Sequence, residues 1–226
     1  MSPLATSWTE LPIHVIDFEG SLRTGVVEYG VATLLDGEII STSTHLHAAR
    51  IQVPAIDTQC HGLSPSDLRG FPPFESEWEH WVSLRRTGLL AAHNATVESG
   101  LIRATWLRPA AVPSHITGAS DVAEWGPWID TCRLARAWAP SLGDFRLQAL
   151  VAVFRLGPRL EALAAKHCPP RRRQYHCALY DALAAALVLR ALCSVEGRSS
   201  ATLAQLVKDS LSASAADEFS QGELEL

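Results

Sequence analysis

The residues of this chain that are best suited to chemistry are carboxylates and one histidine, and they occur in three short segments. They are Asp17 and Glu19 in VIDFEG, Glu98 in AHNATVE, and His176 and Asp181 in HCALYDA. A carboxylate removed from water is costly unless a cation or a proton neutralises it, and oxygen ligands of this kind favour Mg²⁺ or Mn²⁺. Histidine exchanges a proton near neutral pH. The set therefore predicts a divalent-cation site with an acid–base group beside it.

The first pair, Asp17 and Glu19, ends a short β-branched run and is followed by Gly20. Side chains two positions apart in a strand lie on the same side of a sheet, so both carboxylates can face one point. By itself an acidic pair with this spacing is more often surface charge. Its place at the end of an apolar strand is what favours a site.

The other two segments also have ordinary alternatives. Asn94 can cap a helix, and Glu98 lies favourably near a helix N-terminus. Asp181 is harder to explain, because its neighbours in the predicted helix are small or apolar and a carboxylate there needs a partner. His176 precedes Asp181 by five residues, or about 500° of helical rotation, so we expect it on the preceding loop or first turn. A lone histidine at such a position is more often structural than catalytic.

The elements that must position these residues alternate between strands and helices. Residues 13–18 predict a buried central strand, and two further strands are predicted on either side of Asp36-Gly37, a dipeptide typical of a type I′ hairpin. The strands are predicted over residues 13–18, 26–35, 39–45, 88–92 and 128–130. Helices are predicted from Ser64-Pro65-Ser66 onward and over residues 74–84, 96–107, 132–138 beginning at Thr131, 146–154, 158–167, 176–193 and 202–211.

Together the three acidic segments resemble the DEDDh family of 3′→5′ exonucleases, which includes the proofreading epsilon subunits of bacterial replicative polymerases. VIDFEG is similar to the family's D-x-E motif, AHNATVE to its H-N-A-x-x-D motif and HCALYDA to its H-x-A-x-x-D-A motif, in the same order and spacing. His61-Gly62-Leu63 and the DTCRLA segment at residues 130–135 are similar to two further family segments. The resemblance implies an α/β, ribonuclease H-like fold whose mixed five-stranded sheet has three antiparallel strands, then two parallel strands, and flanking helices.

The resemblance also implies a reaction. The chain would hydrolyse nucleic acid from its 3′ end and release nucleoside 5′-monophosphates, using two Mg²⁺ or Mn²⁺ ions about 4 Å apart. Asp17 would bridge the two ions, and Glu19 and Asp181 would hold the one that orients the attacking water. Glu98 would support the second ion, and His176 would be the general base.

Glu98 departs from the family pattern, in which the third acidic residue is normally Asp. The extra methylene displaces the carboxylate by about 1 Å unless the side chain folds back or the helix shifts. We therefore expect an altered metal preference or a lower rate. The alternative is a binding or scaffold module that keeps the fold with a weakened or inactive site. A third hypothesis is an unrelated α/β protein whose acidic residues coincide with the motifs.

Substrate contacts are predicted at two strand ends. The terminal nucleotide would lie near Phe18, Gly20 and Ser21 at the end of the first strand, and near His93 and Asn94 at the end of a later one. Phe18 is either a stacking surface for a base or a core residue, because a central strand of this kind is buried on both faces.

A basic turn, Arg171-Arg172-Arg173, precedes the histidine loop. It is either a phosphate contact or a solvated turn. The chain as a whole carries a formal net charge of −5, which excludes a protein that coats nucleic acid by charge alone. We therefore expect local contacts and distributive cleavage, with single-stranded or 3′-frayed DNA as the favoured substrate and RNA as the second.

Composition predicts one catalytic domain. With 226 residues, 47% of them hydrophobic, the chain can bury one sizeable core. We expect an exonuclease domain over residues 1–211 and an acidic, flexible tail over residues 212–226. Neither a signal-like start nor a long apolar run is evident, which predicts a cytoplasmic protein that makes no membrane contact. A second copy of the chain, a polymerase or another nucleic-acid-processing protein are the candidate partners.

Overall fold

The computed structural model describes residues 5–118 and 121–211, whose strands form one mixed sheet. The strands are β1 (Ile13–Ser21), β2 (Gly25–Leu35), β3 (Glu38–Leu46), β4 (Leu89–Ala92) and β5 (Trp128–Asp130), in the order β3-β2-β1-β4-β5. The first three pair antiparallel, whereas β4 pairs parallel with β1, and β5 with β4. The predicted fold class is confirmed. The predicted tail over residues 212–226 lies outside the described residues.

Helices cover both faces of the sheet. They are α1 (Ala55–His61), α2 (Trp78–Thr87), α3 (Thr96–Thr105), α4 (Thr131–Trp138), α5 (Leu147–Val153), α6 (Gly157–His167), α7 (Ala178–Cys193) and α8 (Leu203–Ser210). On one face α7 packs against β1 and β2, and α4, α5 and α6 pack around α7. Within the described part of the chain, no helix is both long and apolar enough to cross a membrane.

The hairpin between β2 and β3 follows from its turn residues. Asp36 and Gly37 both have positive φ, 51° and 70°, which is the backbone of a type I′ turn and matches the twist of the strands. Alternation along β1 then fixes two cores. Val15 faces α7, whereas Ile16 packs with the aromatic cluster on the opposite face. Asp17 and Glu19 share the parity of Val15 and therefore project toward α7.

Helix α7 is the central helix of the fold. Nearly all its residues are buried, because the sheet lies on one side of it and other helices on the other. This explains its Ala- and Leu-rich composition, since small and apolar side chains let neighbouring elements approach. The helix begins at Ala178. His176 lies before it with φ of 63°, on the loop where the rotation argument placed it.

One predicted helix start is wrong. Ser64-Pro65-Ser66 does not start a helix, and residues 65–70 form turns, although the Asp67 carboxylate accepts the Ser64 amide at 2.8 Å as in a capping box. Gly70, with φ of 87°, and the Pro72-Pro73 pair end the segment before a helix can extend. Helix α1, just before it, was not predicted. The helix expected over residues 74–84 begins as a 3₁₀ turn at Phe74–Glu77 and continues as α2 to Thr87.

Candidate active site

The carboxyl end of β1 and the N-terminus of α7 bring three of the predicted residues together. Glu19, His176 and Asp181 each offer one ligand atom, and these atoms lie within 4.8 Å of one another. Glu19 and Asp181 are buried, whereas His176 is exposed. The two carboxylates thus form the buried side of the cluster. The imidazole lies on its solvent-exposed side, which we call the mouth.

The Asp17 carboxyl is affected by the charges of the other three predicted carboxylates. Burial raises the pKa of its carboxyl well above the usual value, and the nearby charges of Asp181, Glu98 and Glu19 raise this pKa further, in that order. The four predicted carboxylates are therefore linked electrostatically through Asp17. We refer to Asp17, Glu19, Glu98 and Asp181 as the carboxylate cage.

A glycine allows α7 to approach the cage. Gly30 on β2 is the direct pairing partner of Asp17 on β1. A Cβ atom on residue 30 would lie 2.2 Å from the Leu179 amide nitrogen and 2.3 Å from the Ala178 carbonyl carbon. Only glycine leaves room for the helix backbone at this distance. The helix turn that carries Asp181 can therefore pack directly on the strand pair that carries Asp17.

Helix α3 carries Glu98 into the cage, and Asp130 holds the loop before it. The Asp130 carboxylate accepts the backbone amides of Asn94 at 3.2 Å and Ala95 at 3.0 Å. It also accepts the amide of Cys132 at 2.9 Å and so caps α4. Asn94 is in the left-handed region, with φ of 72°. One carboxylate at the end of β5 thus fixes two helix starts.

The cage has more negative charge than the protein neutralises. Burial raises the pKa of Glu19 and of Glu98 to about 8, and that of Asp181 to about 7. Among the described residues, Glu98 Oε2 and Asp181 Oδ1 are buried without any hydrogen-bond partner. Buried oxygens of this kind need a proton or a cation. Such a donor set fits hard divalent cations.

Among the described residues, His176 is held by a hydrogen bond from its backbone, and none involves its ring. Its amide donates to Asp181 Oδ2 at 2.8 Å. The ring lies on the wall of a cleft of about 580 Å³ that also exposes Asp181, Tyr175, Arg146 and Gln148. The cleft has the size of a small-ligand site. Arg146 and Gln148 were not predicted, because nothing in their local sequence separates them from ordinary helix-start residues.

The residues predicted to contact substrate at the end of β1 have strong internal contacts. Phe18 is buried, with its ring 5.5 Å from that of Phe74 and 5.2 Å from that of Trp81, which favours the core alternative. Gly20 has φ of 130°, and a Cβ there would lie 2.2 Å from the Gly25 carbonyl oxygen. Ser21 is hydrogen-bonded to Thr24. Contact of these residues with substrate stays a prediction.

His93 uses both of its ring nitrogens in hydrogen bonds to the protein. Nδ1 is 2.8 Å from the Thr131 hydroxyl, and Nε2 donates to the Phe145 carbonyl at 3.0 Å. Burial lowers the pKa of His93, so the neutral ring suits this pair of bonds. The geometry favours a structural role for this residue. A direct substrate contact by His93 or by Asn94 remains untested.

The three arginines of the basic turn differ in their surroundings. Arg171 is exposed. Arg172 is partly buried, and its guanidinium pairs with the Glu28 carboxylate. Arg173 donates to the carbonyl oxygens of Cys168 at 3.2 Å and Ala165 at 2.9 Å. Of the three, Arg171 has the guanidinium best placed to meet a ligand from solvent.

Sequence reasoning missed Glu28. This residue lies on β2 opposite Glu19 and is buried. The signal was available, because a glutamate in the apolar run over residues 26–35 is as unusual as Asp181 in α7. Only the structure reveals its partner, which is Arg172.

The sheet order, with acidic side chains at the end of the central strand, defines a ribonuclease H-like fold. No protein-family model matches the chain. The DNA polymerase III of the PolC type from Clostridium perfringens (strain 13 / Type A) is 23% identical to the chain over 165 residues, covering 73% of the chain and 10% of that polymerase. The chain therefore spans only a small part of that relative.

Within this class, solved structures similar to the chain include exonucleases, one of which is a DEDDh family member. Exonuclease X in complex with 5′-overhanging duplex DNA is 22% identical, with a TM-score of 0.64, over 88% of the chain and 99% of that structure. The nuclease domain of 3′hExo, a DEDDh family member bound to rAMP, is 15% identical, with a TM-score of 0.58, over 86% and 96% of the two chains. Escherichia coli exonuclease I with a dT13 oligonucleotide is 13% identical, with a TM-score of 0.58, over 84% and 42%. The chain shares their fold, as the motifs predicted.

Proposed function

We propose that the chain is a metal-dependent 3′→5′ exonuclease. The observation that carries the proposal is the carboxylate cage, in which buried oxygens of Glu98 and Asp181 have no partner among the described residues and His176 lies at the mouth. The fold shared with exonuclease X and 3′hExo supports the same function. A phosphodiester can reach the mouth through the adjoining cleft.

The cage would hold two Mg²⁺ or Mn²⁺ ions, which would supply Lewis acidity to the attacking water and to the leaving oxygen. Asp17, Glu19 and Asp181 would hold one ion, and Asp17 with Glu98 would hold the other. His176 would accept the proton of the water as its oxygen attacks phosphorus. The bond from phosphorus to the 3′ oxygen would break, that oxygen would take a proton from solvent, and a nucleoside 5′-monophosphate would leave.

The substrate is proposed to be single-stranded or 3′-frayed DNA, with RNA as the second choice. A terminal nucleotide would enter the cleft beside His176, where Arg146 and the exposed Arg171 can meet phosphate. The acidic chain offers little further charge, so each binding event should remove few nucleotides. A nucleic-acid-processing protein such as a polymerase, or a second copy of the chain, would be the partner that retains substrate.

One observation keeps a second function in view. Glu98 stands where the DEDDh motif has Asp, and a displaced ligand could leave a fold that binds nucleic acid without cutting it. Calorimetry with Mn²⁺ separates the two cases. The proposed enzyme should bind two ions, whereas an inactive module should bind one weakly or none.

The direct test uses a 5′-labelled single-stranded oligonucleotide with Mg²⁺ or Mn²⁺. The proposal expects a ladder that shortens stepwise from the 3′ end and disappears with EDTA or with Asp17→Ala. A matched substrate labelled at its 3′ end should release labelled mononucleotide first. Cleavage at internal positions, or no cleavage with either metal, would overturn the proposal.

A further inference from the structure

The Glu28–Arg172 pair lies beneath the histidine loop. Glu28 on β2 is the direct partner of Glu19 on β1, and two like charges in this register repel each other. Arg172 offsets that repulsion with a two-armed contact, in which Nε donates to Glu28 Oε1 at 3.0 Å and Nη2 donates to Oε2. Glu28 is thereby paired with a cation of the protein, whereas Glu98 Oε2 and Asp181 Oδ1 have no hydrogen-bond partner among the described residues.

Each residue of the pair also forms a hydrogen bond with another part of the protein. Arg172 also donates from Nη1 to the His61 carbonyl oxygen at the end of α1. Glu28 Oε2 also accepts the Ala178 amide at 3.0 Å. The residue before α7, Cys177, offers no side-chain cap. A carboxylate from a distant strand therefore caps α7, which satisfies an open amide and complements the helix dipole.

The short segment from His176 to Ala178 is consequently fixed at two points. The Ala178 amide is bound by Glu28, and the His176 amide is bound by Asp181 Oδ2 at 2.8 Å. Between them His176 adopts φ of 63°, a conformation that a residue with a side chain keeps only when its surroundings impose it.

We propose that Glu28 and Arg172 are positioning residues that hold His176 at the mouth of the carboxylate cage. The proposal rests on the proposed function for the role of His176. It assigns Arg172 to the protein interior and leaves phosphate contact to its exposed neighbour Arg171. The pair acts on the reaction only through the backbone that presents the imidazole.

The test measures coupling to His176. Glu28→Gln and Arg172→Lys are made in the wild-type chain and in His176→Ala. In the wild-type background each should lower kcat about tenfold with little change in KM, because transition-state positioning is lost. In His176→Ala each should change kcat less than about twofold, because residues that act through one another are not additive. Equal losses in both backgrounds would overturn the proposal.

A second readout requires no activity. Hydrogen exchange of the Ala178 amide should be about tenfold faster or more in Glu28→Gln, because its acceptor is weakened. Unchanged protection would overturn the proposal. Arg172→Lys, which keeps the charge, serves if Glu28→Gln does not fold. The matched control is Glu75→Gln, which removes an exposed carboxylate bound to Arg50 at 2.6 Å and should change neither readout. An inactive wild type with the same loss of protection would refute the proposed function alone.

Discussion

Gly30 and Ala178 are in closer contact than any residue other than glycine at position 30 would allow. The Ala178 carbonyl carbon lies 2.3 Å from where a Cβ of residue 30 would be. Because Gly30 pairs with Asp17, this contact sets how near α7 comes to the centre of the cage. Because residue 30 has no Cβ atom, α7 can pack close enough to bring Asp181 near Asp17.

The first prediction is that Gly30→Ala reduces both stability and activity. The added methyl must push α7 outward, and overpacking of this kind typically costs about 1–3 kcal/mol. Denaturant unfolding and the exonuclease rate measure the two effects. The matched control is Gly100→Ala in α3, where a Cβ meets nothing within 4 Å and helix propensity should add about 0.5–1 kcal/mol of stability. Wild-type behaviour of Gly30→Ala would contradict the packing argument.

A second prediction concerns the length of residue 98. The position of α3 is fixed by Asp130 and by the buried Leu101 and Ile102, so a shorter side chain leaves a gap that the helix cannot close. Glu98→Asp should lower the Mg²⁺-supported rate on the order of tenfold or more, since a ligand displaced by about 1 Å is costly. Glu98→Gln should lower the rate further. A faster Glu98→Asp enzyme would show that α3 adapts to the ligand.

The third prediction separates proton transfer from metal binding. His176→Ala should lower kcat by about 10²-fold or more, the usual size of a general-base contribution, while calorimetry finds Mn²⁺ binding unchanged. His45→Ala is the matched control, because His45 is an exposed histidine whose side chain is 63% accessible. Loss of Mn²⁺ binding in His176→Ala would make this residue a ligand and not a base.

A fourth prediction follows from the raised pKa values in the cage. Burial raises the pKa of Glu19 from 4.5 to about 8 and that of Asp181 from 3.8 to about 7. Between those limits the folded chain holds more protons than the unfolded chain, so the free energy of unfolding falls as pH rises. Below about pH 6.5 the lowered pKa values of buried histidines such as His14 and His93 act in the opposite direction. The melting temperature in EDTA should therefore decrease in the upper part of this window, from about pH 6.5 to about pH 8.

Divalent cations should reverse that trend. They replace the protons, so Mn²⁺ should stabilise the protein more at the upper end of the window than at its lower end. Thermal unfolding with EDTA and with Mn²⁺ at a series of pH values measures both effects. Asp181→Asn, which removes one titrating group, should give a shallower slope in EDTA. A melting temperature that rises with pH in EDTA between about pH 6.5 and about pH 8 would contradict the assigned shifts.

The parts of the molecule that follow from local sequence were predicted well. The Asp36-Gly37 turn, the strand that ends at Asp17 and Glu19, and the apolar composition of α7 each depend on neighbours in sequence. Helix α1 did not follow, because seven residues form too short a helix to be stable without tertiary contacts.

The features that were missed depend on residues far apart in the chain. Glu28 and Arg172 are separated by 144 positions, so neither residue type predicts the other. The Gly30 contact depends equally on how α7 packs. Substrate roles of Phe18, Gly20, Ser21 and His93 remain predictions, since their visible contacts are with the protein itself.

Anomalous diffraction from crystals of the chain soaked in Mn²⁺ tests directly whether the carboxylate cage binds two divalent cations. Two-ion binding predicts two peaks about 4 Å apart, one beside Asp17, Glu19 and Asp181 and the other beside Asp17 and Glu98. Absence of Mn²⁺ from the cage in crystals of active protein would contradict it.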